Sequence, residues 1–191
     1  VSNIISSFEN GKSSDIPIRI VKSSSDLISP TLAQYFNHFM KVGEFPNELK
    51  LGKITPIFKK DDEELLENYR PVSTLPIFGK IFEKIMYARI YNFFISNNLM
   101  YSKQFGFRKG HSTSHALNYS INYLTKAVSN QKHTIGLFID LSKAFDTIDH
   151  SKLLSKLNMY GIRGNAHSLL KSYLSNRTQY THVLGESSEK L

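Results

Sequence analysis

Asp140 closes a short apolar run, Ile135–Ile139, and is followed by Leu141-Ser142-Lys143-Ala144-Phe145-Asp146-Thr147-Ile148-Asp149-His150. A carboxylate at the end of a buried strand can meet a divalent cation and a phosphate. Mg²⁺ takes one or two carboxylates and completes its shell with water and substrate oxygens. In sheets with helical crossovers, ligands gather beyond the strand ends. The rival reading makes Asp140 an N-cap for a helix that starts at once; the residues alone leave both open. Lys143 and the amides of that turn could receive a phosphate. Phe145 could wall a bound sugar or simply pack. Asp146 and Asp149 read as surface or capping residues, and a helix would rotate Asp146 away from Asp140. The second cluster of carboxylates that metal-assisted transfer requires is absent from the remaining sequence.

Three further groups have chemical potential. Arg70, in Asn68-Tyr69-Arg70-Pro71, lies near Lys59 and Lys60 in sequence and could clamp a triphosphate through its planar fork. Gln104-Phe105-Gly106-Phe107-Arg108-Lys109-Gly110-His111-Ser112-Thr113 mixes glycine, rings and cations, a combination suited to a nucleic-acid backbone with stacking. It also fits a glycine-bearing loop capped by Ser112. His111 and His115 have i, i+4 spacing without the Glu of a zinc-protease helix. No GxxxxGK[ST] loop and no nucleophile elbow is present.

The elements that must position these residues follow from periodicity. Residues 1–30 are Ser-rich, with Lys22-Ser23-Ser24-Ser25-Asp26 reading as a loop. Thr31 to Val42 predicts a helix ended near Gly43. Leu51 to Phe58 predicts a strand leading into the charged tip Lys59-Lys60-Asp61-Asp62-Glu63-Glu64, hence a hairpin or exposed loop. Pro71 and Pro76 exclude helix between them. Helices are predicted for Phe78 to Phe94 and for Ser112 to Val128, the latter burying Leu117, Ile121, Leu124 and Val128. His133 to Asp140 predicts the buried strand. Helical stripes over Leu153–Tyr160 and Ala166–Leu174 precede a strand from Thr178 to Leu184.

The 191 residues suffice for one domain with a real core. Lys plus Arg is 24 against 16 Asp plus Glu, a net charge of +8, and the pI is near 9.5. That balance favours a polyanion, nucleic acid being the commonest, although ordinary solubility also explains it. Hydrophobic content of 40% and a mean hydropathy of −0.28 describe a globular chain. No stretch approaches the roughly 20 apolar residues of a membrane span. With no cysteine, disulfides and thiol chemistry are excluded. A start at Val1 without a signal pattern suggests an internal fragment, and the expected setting is intracellular, nuclear or cytoplasmic, not secreted.

Five blocks in this order resemble the reverse transcriptases of non-LTR (LINE-type) retrotransposons. They are Ile54-Thr55-Pro56-Ile57-Phe58-Lys59-Lys60, Asn68-Tyr69-Arg70-Pro71-Val72-Ser73, Gly79-Lys80-Ile81-Phe82-Glu83-Lys84, Gln104-Phe105-Gly106-Phe107-Arg108, and Asp140 to Asp146. The resemblance implies an α+β right-hand polymerase fold with fingers, an incomplete palm and no thumb. Residues 1–44 would lead into the fingers, and 45–191 would be the partial polymerase domain. Asp140 would be the first catalytic aspartate and, with Leu141, would hold Mg²⁺ (or Mn²⁺) in the complete domain. Arg70, Lys59, Lys60, Lys143, Ala144 and Phe145 would bind the dNTP, Phe145 disfavouring a ribose 2′-hydroxyl. Gln104, Arg108 and Lys109 would follow the RNA template paired with its DNA primer. The family's Gly-x-Pro-Gln-Gly-type block and Tyr/Phe-x-Asp-Asp turn do not occur in these residues. The resemblance therefore predicts no polymerase activity from this chain alone. The alternative is a non-catalytic nucleic-acid-binding remnant.

Overall fold

The computed structural model describes residues 1–9 and 16–191; residues 10–15 of the Ser-rich stretch lie outside the description. In chain order the helices are α1 (Ser2–Ser6), α2 (Ile18–Ser23), α3 (Ser25–Val42), α4 (Ile77–Ser96), α5 (Thr113–Ser129), α6 (His150–Met159) and α7 (Gly164–Leu174). The strands are β1 (Gly52–Phe58), β2 (Tyr69–Thr74), β3 (Gln179–Val183) and β4 (Glu186–Ser187). The architecture is mixed α+β. One four-stranded sheet runs in the order β2-β1-β3-β4, with β1 antiparallel to β2, parallel to β3, and β3 antiparallel to β4. The chain forms two compact units, Val1–Ile90 with Asp149–Leu191, and Tyr91–Ile148.

The first unit holds the sheet and the core. Ile5, Ile18, Val21, Phe36, Phe45, Leu49, Ile77, Ile81, Phe82, Met86 and Leu169 form one buried cluster. Phe82 of α4 lies between two rings, with centroids 4.6 Å from Phe36 and 5.2 Å from Phe45. Aromatic rings bury the largest areas available to a core and fix their neighbours by offset stacking. The N-terminal helices share this core. Ile18 and Val21 of α2 and Ser25 at the start of α3 are buried at helical spacing, where the sequence reads as a Ser-rich loop. Their packing, more than intrinsic propensity, sustains the helices.

Two glycines carry the tight junctions. Gly43 ends α3 at φ 82°, its N–H donating to the Phe39 carbonyl at 2.8 Å. A Cβ there would lie 3.0 Å from both Asn165 O and Ser168 Cβ of α7. At Gly79, a Cβ would lie 3.2 Å from Leu49 O, which lets the start of α4 approach the turn Asn47–Leu49. The charged loop after β1 does close a hairpin, and the expected helices and strands from Leu51 to Phe94 and from Leu153 to Leu184 are present within a few residues.

The second unit departs from expectation. Helix α5 forms and is capped by Ser112, whose hydroxyl accepts from the His115 N–H. Its apolar stripe is not buried: Leu117, Ile121, Leu124 and Val128 are all exposed. The strand expected from His133 to Asp140 is absent as well. Those residues have no regular structure, and Phe138 is 96% exposed. Among the described residues, no strand of the sheet pairs with them, and an unpaired strand leaves its backbone groups without ladder partners. The helix expected directly after Asp140 is replaced by turns at 142–147, and α6 starts only at His150.

Candidate functional site

In the first unit, the β1–β2 hairpin carries three of the expected phosphate-binding residues. Register places Ile57 opposite Arg70 and Phe58 opposite Tyr69, with those two rings 5.5 Å apart. The Lys59 N–H donates to Asn68 O at 2.8 Å, one step beyond the ladder. Lys59 and Arg70, eleven residues apart in sequence, are thereby brought to the same end of the ribbon. The tip is folded by its own side chains: Asn68 Nδ2 donates to Asp62 O, Tyr69 Oη to Glu63 O, and Glu64 N–H to Asp62 Oδ1. Lys60 pairs with Asp61 at 3.6 Å, but both are exposed and such a pair contributes little. Among the described residues no carboxylate lies within 4.0 Å of Arg70 or Lys59, so both exposed cations can meet an anion.

The second unit carries the remaining expected residues. Gln104 donates to Gly106 O, an Arg108 guanidinium N–H to Tyr101 O at 3.2 Å, and the Lys109 backbone N–H to Tyr91 Oη at 3.0 Å. Gly110 takes φ 76°, and Phe107 adopts the left-handed region as well, at φ 56°. This turns the 86%-exposed Phe107 ring outward, where it meets Phe145 edge to face with centroids 6.0 Å apart. The glycine-aromatic loop and the Asp140 block are thus joined within one unit. Lys143 sits at φ 50°, and its carbonyl accepts from the Asp146 and Thr147 amides, forming one isolated turn that includes Ala144 and Phe145.

Asp140 and Leu141 lie exposed just before that turn. Neither geometric premise for Asp140 is met. It does not end a buried strand, and it caps no helix. Asp149, by contrast, caps α6, its carboxylate accepting from Ser151 N at 2.8 Å and Lys152 N at 3.1 Å. The hydrogen bond from the Ser151 hydroxyl, with these two amide bonds, holds its pKa below the usual carboxylate value. Among the described residues no group of three or more His, Cys, Asp or Glu is arranged to hold a metal. The rings of His111 and His115 lie 6.2 Å apart as part of an aromatic run with Phe105 and Tyr119.

Sequence reasoning missed Lys103, whose ammonium lies 5.3 Å from the Tyr119 ring centre. A hydrogen bond with Tyr119 pushes its pKa up. The signal was there in Tyr119 and Tyr123, placed i, i+4 on α5. Lys50 was missed too. Among the described residues it is one of two buried polar ones, at 3% exposure, and nothing in its sequence neighbourhood marks it.

Residues 57–190 match the family described as reverse transcriptase (RNA-dependent DNA polymerase), and the chain belongs to that family. The particular lineage is the LINE type that the motif order implies. It is 32% identical over 171 residues to the RNA-directed DNA polymerase from mobile element jockey of Drosophila melanogaster, covering 89% of this chain and 19% of that protein. It is 32% identical over 147 residues to the probable RNA-directed DNA polymerase from transposon BS, and 34% over 143 residues to that from transposon X-element, both of Drosophila melanogaster. These cover 76% and 74% of this chain and 16% of each relative, so the chain spans less than a fifth of their length. Among the described residues no helix is long and apolar enough to cross a membrane.

Proposed function

We propose that this chain supplies the fingers and the first part of the palm of a right-hand polymerase that copies RNA into DNA. The observation that carries the reading is the hairpin register, which gathers Lys59 and Arg70 at one end of an exposed ribbon in a chain of this family. Arg70, Lys59 and Lys60 grip the triphosphate of the incoming dNTP. Arg70 contributes paired hydrogen bonds and the lysines contribute point charges. Lys143, Ala144 and Phe145 line the nucleotide, with the Phe145 ring excluding a 2′-hydroxyl. Gln104, Arg108 and Lys109 contact the template backbone, and the neighbouring exposed rings offer bases a stacking surface. The setting is intracellular, where RNA and dNTPs are found.

Asp140 and Leu141 are the metal-binding residues by resemblance to the family. One isolated carboxylate does not fix the two-cation geometry that phosphoryl transfer demands, so no metal-dependent step is assigned to these 191 residues. The purified chain is expected to bind nucleic acid and to extend no primer. Steady primer extension that Asp140→Asn abolishes would overturn that expectation. Arg108→Ala and Lys109→Ala should each flatten the salt dependence of single-stranded RNA binding by about 0.7 in the log–log slope. Unchanged slopes would remove both residues from the template path. A nucleic-acid-binding remnant is the second reading, favoured by the absence of a metal-binding group among the described residues.

A further inference from the structure

Lys50, between the turn Asn47–Leu49 and β1, is 3% exposed, and burying an ammonium is costly unless an anion compensates it. Among the described residues no carboxylate lies within 4.0 Å of it, and it donates a long hydrogen bond, 3.5 Å, to the Ser172 hydroxyl. That hydroxyl already accepts from the Phe45 N–H at 3.0 Å. Burial pushes the lysine pKa down, the nearby Arg177 adds to this, and Glu44 acts in the opposite sense. A second cation beside a buried one makes the local field more positive.

Lys50 lines two recesses, and the one that includes its partner Ser172 is lined by Glu44 as well. The other is a cavity of about 280 Å³ that it shares with Gly52, Ser73, Arg177, Thr178, Gln179 and Leu191. Because residue 52 has no side chain, the Ser73 hydroxyl reaches to 2.9 Å from where a Cβ would stand. Lys50, Arg177, Ser73, Thr178 and Gln179 thus line this recess with Leu191, and no Asp or Glu does. Arg177 is held in place by donating to Tyr173 O at 3.1 Å and by lying 4.8 Å from the Tyr173 ring centre.

We propose that this recess is a phosphate-type oxyanion site, distinct from the hairpin cations, with Lys50 as its buried counter-charge and Arg177 and the Ser73 hydroxyl as its outer donors. The oxyanion is either a free phosphate or a phosphodiester of a bound strand. The site itself does not depend on the polymerase reading; only the strand as its source does.

The test is a titration of the isotopically labelled chain with inorganic phosphate, and separately with a single-stranded oligonucleotide, read by amide chemical shifts. Phosphate is expected to move the amides of Lys50, Gly52, Thr178 and Gln179 saturably, and Lys50→Met to abolish those shifts. Phosphate also stabilises proteins by exclusion from their surface. Thermal midpoints are therefore compared between wild type and Lys50→Met at matched ionic strength, with the wild type gaining more. If the oligonucleotide moves the same amides, Lys50→Met should lower its salt slope by about 0.7. If phosphate alone moves them, the site stands with free phosphate as its ligand. Should Lys50→Met fail to fold, the wild-type titration decides, because saturable shifts centred on these four amides support the site. Unmoved amides, or shifts that Lys50→Met leaves intact, overturn it.

Discussion

The hydroxyl of Tyr173 on α7 donates a short hydrogen bond to Glu83 Oε1 on α4, and both side chains are half-buried. The Tyr173 ring packs against Phe45, centroids 5.0 Å apart, so Tyr173→Phe removes the hydroxyl while keeping the ring in place. A hydrogen bond to a charged group contributes about 1.5–3 kcal/mol. Partial exposure of this pair puts the expected loss near the lower end, about 1.5 kcal/mol. For a chain of this size that lowers the melting midpoint by roughly 3–6 °C. Glu83→Gln should cost less, and the double mutant should lose less than the sum of the singles, because the two residues share one interaction. The pH dependence gives an independent readout. Burial, with Glu83 adding to it, raises the Tyr173 pKa from 10.0 to about 12. The folded state therefore holds its proton where the unfolded state has released it. The advantage of wild type over Tyr173→Phe is complete below pH 10 and declines as pH rises toward 12. Urea denaturation of the four proteins at pH 7, 10 and 11 checks both parts. A Tyr173→Phe loss under about 0.5 kcal/mol, or an advantage that grows with alkalinity, would refute the argument.

Gly43→Ala should destabilise by at least about 1–2 kcal/mol in urea, since a left-handed residue acquires a Cβ against the α7 backbone; a neutral result would mean that α7 yields. Asp149→Ala should lower helix content by circular dichroism at neutral pH. Its deficit should vanish as pH falls below the ordinary carboxylate value of 3.8, because the native carboxylate titrates lower. Phe138→Ser, at a position 96% exposed, should change stability by less than about 0.5 kcal/mol; a larger loss would restore the buried strand that the sequence suggests.

The first unit was legible wherever local pattern and tertiary burial agree. Val72-Ser73-Thr74 between prolines is extended, Ile81, Phe82 and Met86 of the α4 stripe are buried, and Gly43 and Asp149 stand at the helix ends where their chemistry suits them. Helix α2 was not legible, because it survives by packing Ile18 and Val21, while the serine run Ser23-Ser24-Ser25 at its end argues for a loop. Ile135–Ile139 failed for the converse reason. Apolar periodicity reports what a segment would bury, and burial needs a partner surface that the pattern cannot supply. Among the candidate site residues, the placement of Lys59 and Arg70 at one end of the ribbon follows from hairpin logic. The meeting of Phe107 with Phe145 across 38 residues had no local signal, and neither did the concealed ammonium of Lys50.

The unit Tyr91–Ile148 interrupts a body whose core joins Phe36, Phe45 and Phe82 to Leu169, and whose sheet pairs Gly52 with Gln179. A ribosome delivers about 5–20 residues each second. The early aromatic cluster must therefore wait several seconds for the helix and strand that complete it. Contacts between residues so far apart in sequence form late in folding. A protease cut inside the interrupting unit would leave two pieces that the finished core still holds together.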